Sequence, residues 1–278
     1  MTGDLREPLD ARLREPLDVR RRGAGLWLTL NRPAARNGLD AGLAAALGAA
    51  LDQAERDSGV AAVVITAAGR VFCAGADLKL VARLAAEPPR QAAAAQHEFL
   101  TTLGRLFDRI EAFAKPVIAA VGGLAVAGGL ELVLACDFVI AAEPARFGDA
   151  HANYGLVPGG GGSVRLPRRV GPATAKYLMF TGRDLPARDL AHTDLVTVLV
   201  DDDDELRAVA DGVVAEIAAK SPRGIQVMKQ LVHCGLDPAP AAARVAELDA
   251  LARHALSADF AEGLRAFGEK RRPVFTGR

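Results

Sequence analysis

The chain is short of several things, and each shortage excludes something. Aromatic residues make up 5% of its 278 positions, with one Trp and two Tyr, so its core must close around small and aliphatic side chains. There are three cysteines, Cys73, Cys136 and Cys234, an odd number with no C-x-x-C pair. That spacing argues against a disulfide framework or a structural zinc site, and it suits the reducing cytoplasm. Neither sign of charge is in excess, with 34 basic residues against 34 acidic ones. Nucleic acid is therefore not expected as a partner. The longest apolar run, Val117 to Leu130, is 14 residues and is broken by glycines before Glu131 ends it. This is too short for a membrane span. The N-terminus is charged and lacks the apolar segment of a signal peptide. His97, His192, His233 and His254 have no metal-ligand spacing, so no metal is expected.

What is present is an apolar chain rich in Ala and Gly. Half the residues are hydrophobic and 24% are charged, enough for a sizeable core. Short runs rich in Val, Ile and Leu predict strands at Leu26–Leu30, Ala61–Thr66, Pro116–Val121, Phe138–Ala141 and Leu195–Val200. Between them, apolar residues at helical spacing predict helices from Asp40, as N-cap, to Arg56, and over Gln91–Phe113, Leu130–Ala135 and Ala173–Phe180. Val71–Asp77 reads as a loop. This alternation indicates an α/β core. From Asp204 onward the pattern is helical only: Glu205–Lys220, Arg223–Cys234, Ala241–Ala255 and Ala258–Glu269. The acidic run Asp201–Asp204 reads as a helix start. Near the beginning, Leu5-Arg6-Glu7-Pro8-Leu9-Asp10 recurs as Leu13-Arg14-Glu15-Pro16-Leu17-Asp18. The expected organisation is a flexible leader over residues 1–20, a core over 21–200 and a helical region over 201–278. The apolar face of that last region should pack on the core or on a neighbouring subunit.

One acid stands in an unusual place. In Gly128-Gly129-Leu130-Glu131-Leu132-Val133-Leu134, Glu131 falls in the first turn of a helix with apolar neighbours on every side. A buried carboxylate costs several kcal/mol unless it is protonated, paired or used. The two glycines ahead of it leave backbone N–H groups unpaired at the positive helix end. An acid-base group beside such a corner suits chemistry through an enolate or oxyanion. The segment alone leaves open whether Glu131 does this or caps its own helix.

Taken in order, several segments resemble the crotonase (enoyl-CoA hydratase/isomerase) superfamily. They are Leu30-Asn31-Arg32-Pro33, Val71 through Lys79, Pro116–Val121, Ala127 through Asp137, Phe147-Gly148, and Gly155-Leu156-Val157-Pro158-Gly159. Phe260 through Arg271 completes the match, which spans roughly residues 25–275. The resemblance implies a spiral of ββα units, a C-terminal helical trimerisation region, and a trimer or a hexamer built as a dimer of trimers. It implies acyl-CoA thioesters as ligands, coenzyme A being part of the substrate and no other cofactor being required. By position, the amides of Ala74 and Gly128 would form the oxyanion hole, and Glu131 would hold or activate the water. Ala76, Asp77, Leu78, Gly159, Phe267 and Lys270 would contact the substrate or its CoA portion, the last two commonly across a subunit interface.

The chain departs from the pattern at one point. The second catalytic glutamate of the hydratases falls on His151, between the anchors Phe147 and Gly155. Histidine moves protons near neutral pH, and its pKa beside Glu131 could be raised. His151 is then a substitute general acid/base, a group for hydrolysis or C–C cleavage of a β-keto acyl group, or a loop residue without a role. Asp149 either orients the imidazole or faces solvent, and solvent is the favoured reading. The expected function is a lyase adding water to a 2-enoyl-CoA. Behind it stand an enoyl-CoA isomerase, a hydrolase of the same fold using His151, and an acyl-CoA-binding module without turnover.

Overall fold

Runs such as Ala62–Ala67 and Val117–Val121 are almost unbroken aliphatic sequence, as strands buried on both faces require. The structure is a computed structural model that describes residues 15–77, 80, 87–235 and 240–278. In chain order its strands are β1 (Leu17–Arg22), β2 (Gly25–Leu30), β3 (Ala62–Ala67), β4 (Val71–Cys73), β5 (Val117–Val121), β6 (Leu124–Val126), β7 (Phe138–Ala142), β8 (Arg146–Gly148), β9 (Asp184–Pro186) and β10 (Val198–Val200). The described helices are α1 (Ala41–Arg56), α2 (Pro89–Glu111), α3 (Gly128–Leu134), α4 (Gly162–Thr181), α5 (Ala187–Leu190), α6 (Asp203–Ala218), α7 (Pro222–Gly235), α8 (Pro240–His254) and α9 (Ala258–Glu269).

The strands form a six-stranded sheet in the order β1-β2-β3-β5-β7-β10 and a four-stranded sheet in the order β4-β6-β8-β9. From β3 the chain repeats one step: a strand in the large sheet, a strand in the small sheet, then a helix. The turns are β3-β4-α2, β5-β6-α3 and β7-β8-α4. Each lies parallel to the one before, through pairs such as Val63↔Val117 and Ile118↔Phe138 in one sheet and Leu124↔Arg146 in the other. The chain thus forms the spiral of ββα units that its resemblance implied.

Side-chain alternation divides the large sheet between two apolar layers. Leu26, Leu28, Val63, Ile65 and Val117 face the main core with Leu43, Leu47 and Leu51 of α1. Trp27, Val64, Ile118 and Ile140 face the other way, against Leu206, Ala210 and Val214 of α6. Asp40 caps α1, its carboxylate accepting the Leu43 amide at 2.8 Å. Asp202 likewise caps α6 by accepting the amides of Asp204 and Glu205, so the acidic run does start a helix.

Three expectations are corrected. Order does not wait for Leu26: Leu17, 2% exposed, pairs with Leu30 in β1, so the end of the presumed leader is an edge strand. The first copy of the repeat lies outside the described residues. Val71–Cys73 is a strand rather than loop. Finally, α6 covers the second face of the sheet, so the core continues past residue 200 and the helical extension starts at α7. That extension is bolted to the core by Lys229, whose Nζ lies 2.7 Å from Asp137 and donates to the Lys115 carbonyl. Asp137 also accepts the Val117 amide at 2.7 Å. No helix among the described residues is long and apolar enough to cross a membrane.

Candidate active site

The small sheet places the site. Its parallel strands β4, β6 and β8 run side by side, with Ala125 opposite Cys73 and Phe147. At their carboxyl ends the chain turns out of the sheet three times. The turn after β4 carries Ala74–Asp77, the turn after β6 carries Ala127 and α3, and the turn after β8 carries Asp149 and His151. Crevices at the carboxyl ends of parallel strands are where open α/β sheets bind ligands.

The first two turns touch through glycines. A Cβ on Gly75 would stand 3.1 Å from the Gly128 nitrogen and 2.9 Å from the Ala127 Cβ. Gly75 also has φ +90°, so glycine is required there twice over. Ala127, the residue that enters α3, is held at φ 50° and ψ −124°. Such strain costs about 1–3 kcal/mol in a non-glycine residue and gathers at functional sites. The Ala74 amide is spent, donating to the Arg36 carbonyl at 3.1 Å. This corrects the expected oxyanion donor: Ala74 N–H has no capacity left for a ligand. Leu39 bridges in parallel to Ala76, donating to Gly75 O and accepting from Asp77 N. The Ala76 amide consequently points away from Leu39. Among the described residues neither Ala76 N–H nor Gly128 N–H has a protein acceptor.

Glu131 is 3% exposed and sits in the first turn of α3, which begins at Gly128 itself rather than after the glycine pair. Its Oε1 accepts the Gly160 amide at 2.8 Å and the Gly162 amide at 2.9 Å. Gly162 opens α4, so the carboxylate lies at that helix's positive end. Burial pushes the carboxyl up, while the Gly162 amide, the His151 charge and the Gly160 amide pull it down. The net position is above the ordinary carboxylate range. Oε2 has no protein donor among the described residues. Nor is it fully enclosed, since among the described residues Trp27 Nε1, on the other face of the large sheet, is the one fully buried side-chain nitrogen or oxygen without a partner. One oxygen anchors Glu131 and the other is open.

The four-glycine run explains itself residue by residue. A Cβ on Gly159 would meet Leu100 at 2.7 Å, one on Gly160 would meet Phe107 and Glu131 Oε2 at 2.7 Å, and one on Gly161 would meet Arg165 at 2.2 Å. Gly159, the glycine singled out from sequence, packs on α2, whereas Gly160 and Gly162 grip Glu131. Sequence reasoning missed these two because a glycine run does not say which amide points where.

His151 follows a left-handed Ala150, φ 59°. Its Nδ1 lies 3.1 Å from Asp149 Oδ1, and Asp149 is 2% exposed. Asp149 therefore does not face solvent, as the sequence reading favoured; it orients the imidazole. Burial by itself would depress His151, but the Asp149 hydrogen bond and charge, with the Glu131 charge, leave it above its ordinary value. Glu131 and His151 thus lie close enough to feel each other's charge.

The remaining expected residues are placed as follows. The Asp77 carboxylate is paired with Arg32 Nη2 at 2.8 Å, and Arg32 also reaches Asp40 at 2.9 Å. This ties the Ala74–Asp77 turn to the start of α1. Leu78 lies outside the described residues. Phe267 is 86% exposed on α9 and Lys270 is the exposed, left-handed C-cap of that helix. Within one chain α9 packs on α7, and no hydrogen bond or ion pair among the described residues joins Phe267 or Lys270 to the turns around Glu131.

Comparison with known proteins agrees with this geometry. The family model described as enoyl-CoA hydratase/isomerase matches residues 22–278. The chain is 36% identical over 250 residues to a probable enoyl-CoA hydratase of Bacillus subtilis, covering 90% of this chain and 94% of that protein. It is 37% identical over 253 residues to the 2,3-dehydroadipyl-CoA hydratase of Escherichia coli, covering 91% and 95%. Among solved structures, an enoyl-CoA hydratase from Bacillus anthracis superposes with a TM-score of 0.87 at 33% identity, covering 95% of this chain and all of that one. The fold, the strand-end turns and the matched length together place this chain in the enoyl-CoA hydratase/isomerase family.

Proposed function

We propose that this protein adds water across the double bond of a 2-enoyl-CoA thioester. The observation that carries the reading is Glu131: a buried carboxylate anchored through Oε1, open at Oε2, beside the two unpartnered amides of Ala76 and Gly128. The thioester carbonyl oxygen accepts from those amides, which stabilise it as negative charge develops; one such donor is worth about 3 kcal/mol. Ionised Glu131 takes a proton from water through Oε2 as the hydroxyl adds to Cβ. The resulting enolate is protonated at Cα by the His151 imidazolium, whose Nδ1–H is held by Asp149. Transfer of the Glu131 proton back to His151 through solvent restores both groups. Coenzyme A enters as part of the substrate, and no other cofactor is called on.

The direct test follows the conjugated enoyl-thioester absorbance, lost when a 2-enoyl-CoA is hydrated and gained when a 3-enoyl-CoA is isomerised, over a panel of both substrates of increasing chain length, for wild type and His151→Ala. Hydration of 2-enoyl substrates, falling about a hundredfold or more in His151→Ala, is expected. No hydration across the panel, with 3-enoyl isomers shifted instead, would replace hydration by isomerisation.

The charge states fix the pH dependence. Activity requires Glu131 ionised and His151 protonated. The rate should rise through an acid limb set above the ordinary carboxylate range and fall through an alkaline limb set above the ordinary imidazole value. Asp149→Asn removes a negative charge that helps to offset burial at His151, so the alkaline limb should move to lower pH. An alkaline limb that stays put in Asp149→Asn would remove His151 from the role of acid.

Assembly as a trimer or a dimer of trimers is part of the same proposal. The helical extension leaves Met228, Val232, Leu248, Leu256 and Phe267 exposed, the last two by 88% and 86%. Covering them in a neighbour would carry Phe267 and Lys270 to an adjacent CoA; light scattering on the purified protein reads the mass. A cytoplasmic setting fits three free thiols, two of them buried and pushed up to about 12.

A further inference from the structure

Behind the glycine loop stands a side chain that no step of the proposed reaction uses. Arg165 lies in the first turn of α4 and is 8% exposed. Its Nη1 donates to the Gly160 carbonyl at 2.9 Å. Its Nε and Nη2 both reach Glu111 Oε2, at 2.9 and 2.7 Å, and Nη2 also reaches Asp108 at 2.6 Å. Asp108 and Glu111 are a helical turn apart on α2, so the guanidinium fork ties α2 to the loop. Its Nη1 end closes on Gly161, where any Cβ would run into it. Gly160 is thereby pinned at both ends, its amide on Glu131 Oε1 and its carbonyl on Arg165.

We propose that Arg165 is the positioning residue for Glu131: by fixing the Gly160 carbonyl it aims the Gly160 amide at Oε1 and leaves Oε2 as the oxygen that meets water. The inference rests on Glu131 being the base of the hydration reaction. Lysine carries the same charge but cannot bond two carboxylates and a carbonyl in one plane. The loop would then loosen and Glu131 would lose a donor that favours its charged form. An arginine that merely braces the fold would lower the melting temperature on mutation without altering how Glu131 titrates in the reaction.

The experiment compares wild type, Arg165→Lys, Glu111→Gln and Glu131→Gln as full-length protein on one 2-enoyl-CoA. It reads kcat, KM, the acid limb of the pH–rate profile and the melting temperature. For Arg165→Lys, kcat should fall about ten- to a hundredfold with KM little changed. Its acid limb should move up by about one unit. Glu111→Gln, which keeps the arginine but weakens its anchor, should shift the limb the same way by less. A folded Arg165→Lys with wild-type kcat and acid limb overturns the proposal, even if its melting temperature drops. Should Arg165→Lys fail to fold, an unmoved acid limb in Glu111→Gln overturns it. Glu131→Gln, read beside wild type, separates the failures. Absence of hydration in the wild type sinks the function itself, and full hydration by Glu131→Gln removes the base on which the inference rests. Loss of hydration in Glu131→Gln beside an unchanged Arg165→Lys sinks only the positioning role.

Discussion

Glu131→Gln should lower the rate of hydration about a thousandfold, the scale of a lost general base, while leaving the protein as stable as before or more so. The amide keeps the shape of the side chain and an oxygen for Gly160 and Gly162 to bond, so the loop has no reason to move. The change removes the proton acceptor and a buried negative charge. A carboxyl raised above its unfolded value on folding weakens the protein as pH rises from the unfolded value through the folded one, and the full cost persists above that. Glu131 is raised in this way by burial, so at neutral pH its neutral replacement relieves the cost. Loss of rate with gain of stability is what a site residue held against its preference gives. Kinetics on a 2-enoyl-CoA with a parallel thermal melt reads both. Wild-type turnover in the variant would remove Glu131 from the chemistry, and a collapse in stability would reveal it as a structural cap.

Gly129→Ala should be the most damaging single methyl group in the molecule's centre. Its Cβ would stand 2.1 Å from the Cys73 carbonyl oxygen and 2.7 Å from the carbonyl carbon. Both are backbone atoms of β4, and no rotamer relieves them. Either α3 backs away from β4, separating the Gly128 amide from the Ala76 amide, or the chain loses about 3 kcal/mol or more. Gly48→Ala in α1 is the contrast, since a Cβ there meets nothing within 4 Å. It should gain about 0.5–1 kcal/mol from helix propensity. Denaturant titrations of the two variants would test the contrast. Equal stability of Gly129→Ala and wild type would mean that β4 and α3 are not packed as described.

The longer elements were legible because burial writes a period into them. Helix α9 is found at Ala258–Glu269 as its spacing predicted, and α1 starts after the Asp40 cap that its sequence announces. Strands β3, β5 and β7 show as aliphatic runs. The small sheet did not show. Each of β4, β6 and β8 is three residues long, too short for any alternation to stand out. Yet those strands frame the candidate site, because their ends set where the three turns carrying Ala76, Gly128 and His151 leave the sheet. The error at Ala74 has the same origin. Nothing local distinguishes the amide of Ala74 from that of Ala76, and only the bridge from Leu39 and the bond to Arg36 decide which one is free.

Sequence by itself determined the α/β class, the family and the identities of Glu131 and His151, since an acid among aliphatic residues and a histidine between fixed anchors are local facts. Tertiary structure decided what those groups can do. It brought Gly160 and Gly162 to one oxygen of Glu131 from some 30 residues away in the chain, and it buried Asp149 against His151. Hydrogen-bond direction, burial and the charge felt by a neighbour depend on distances across the fold. No window of sequence carries them.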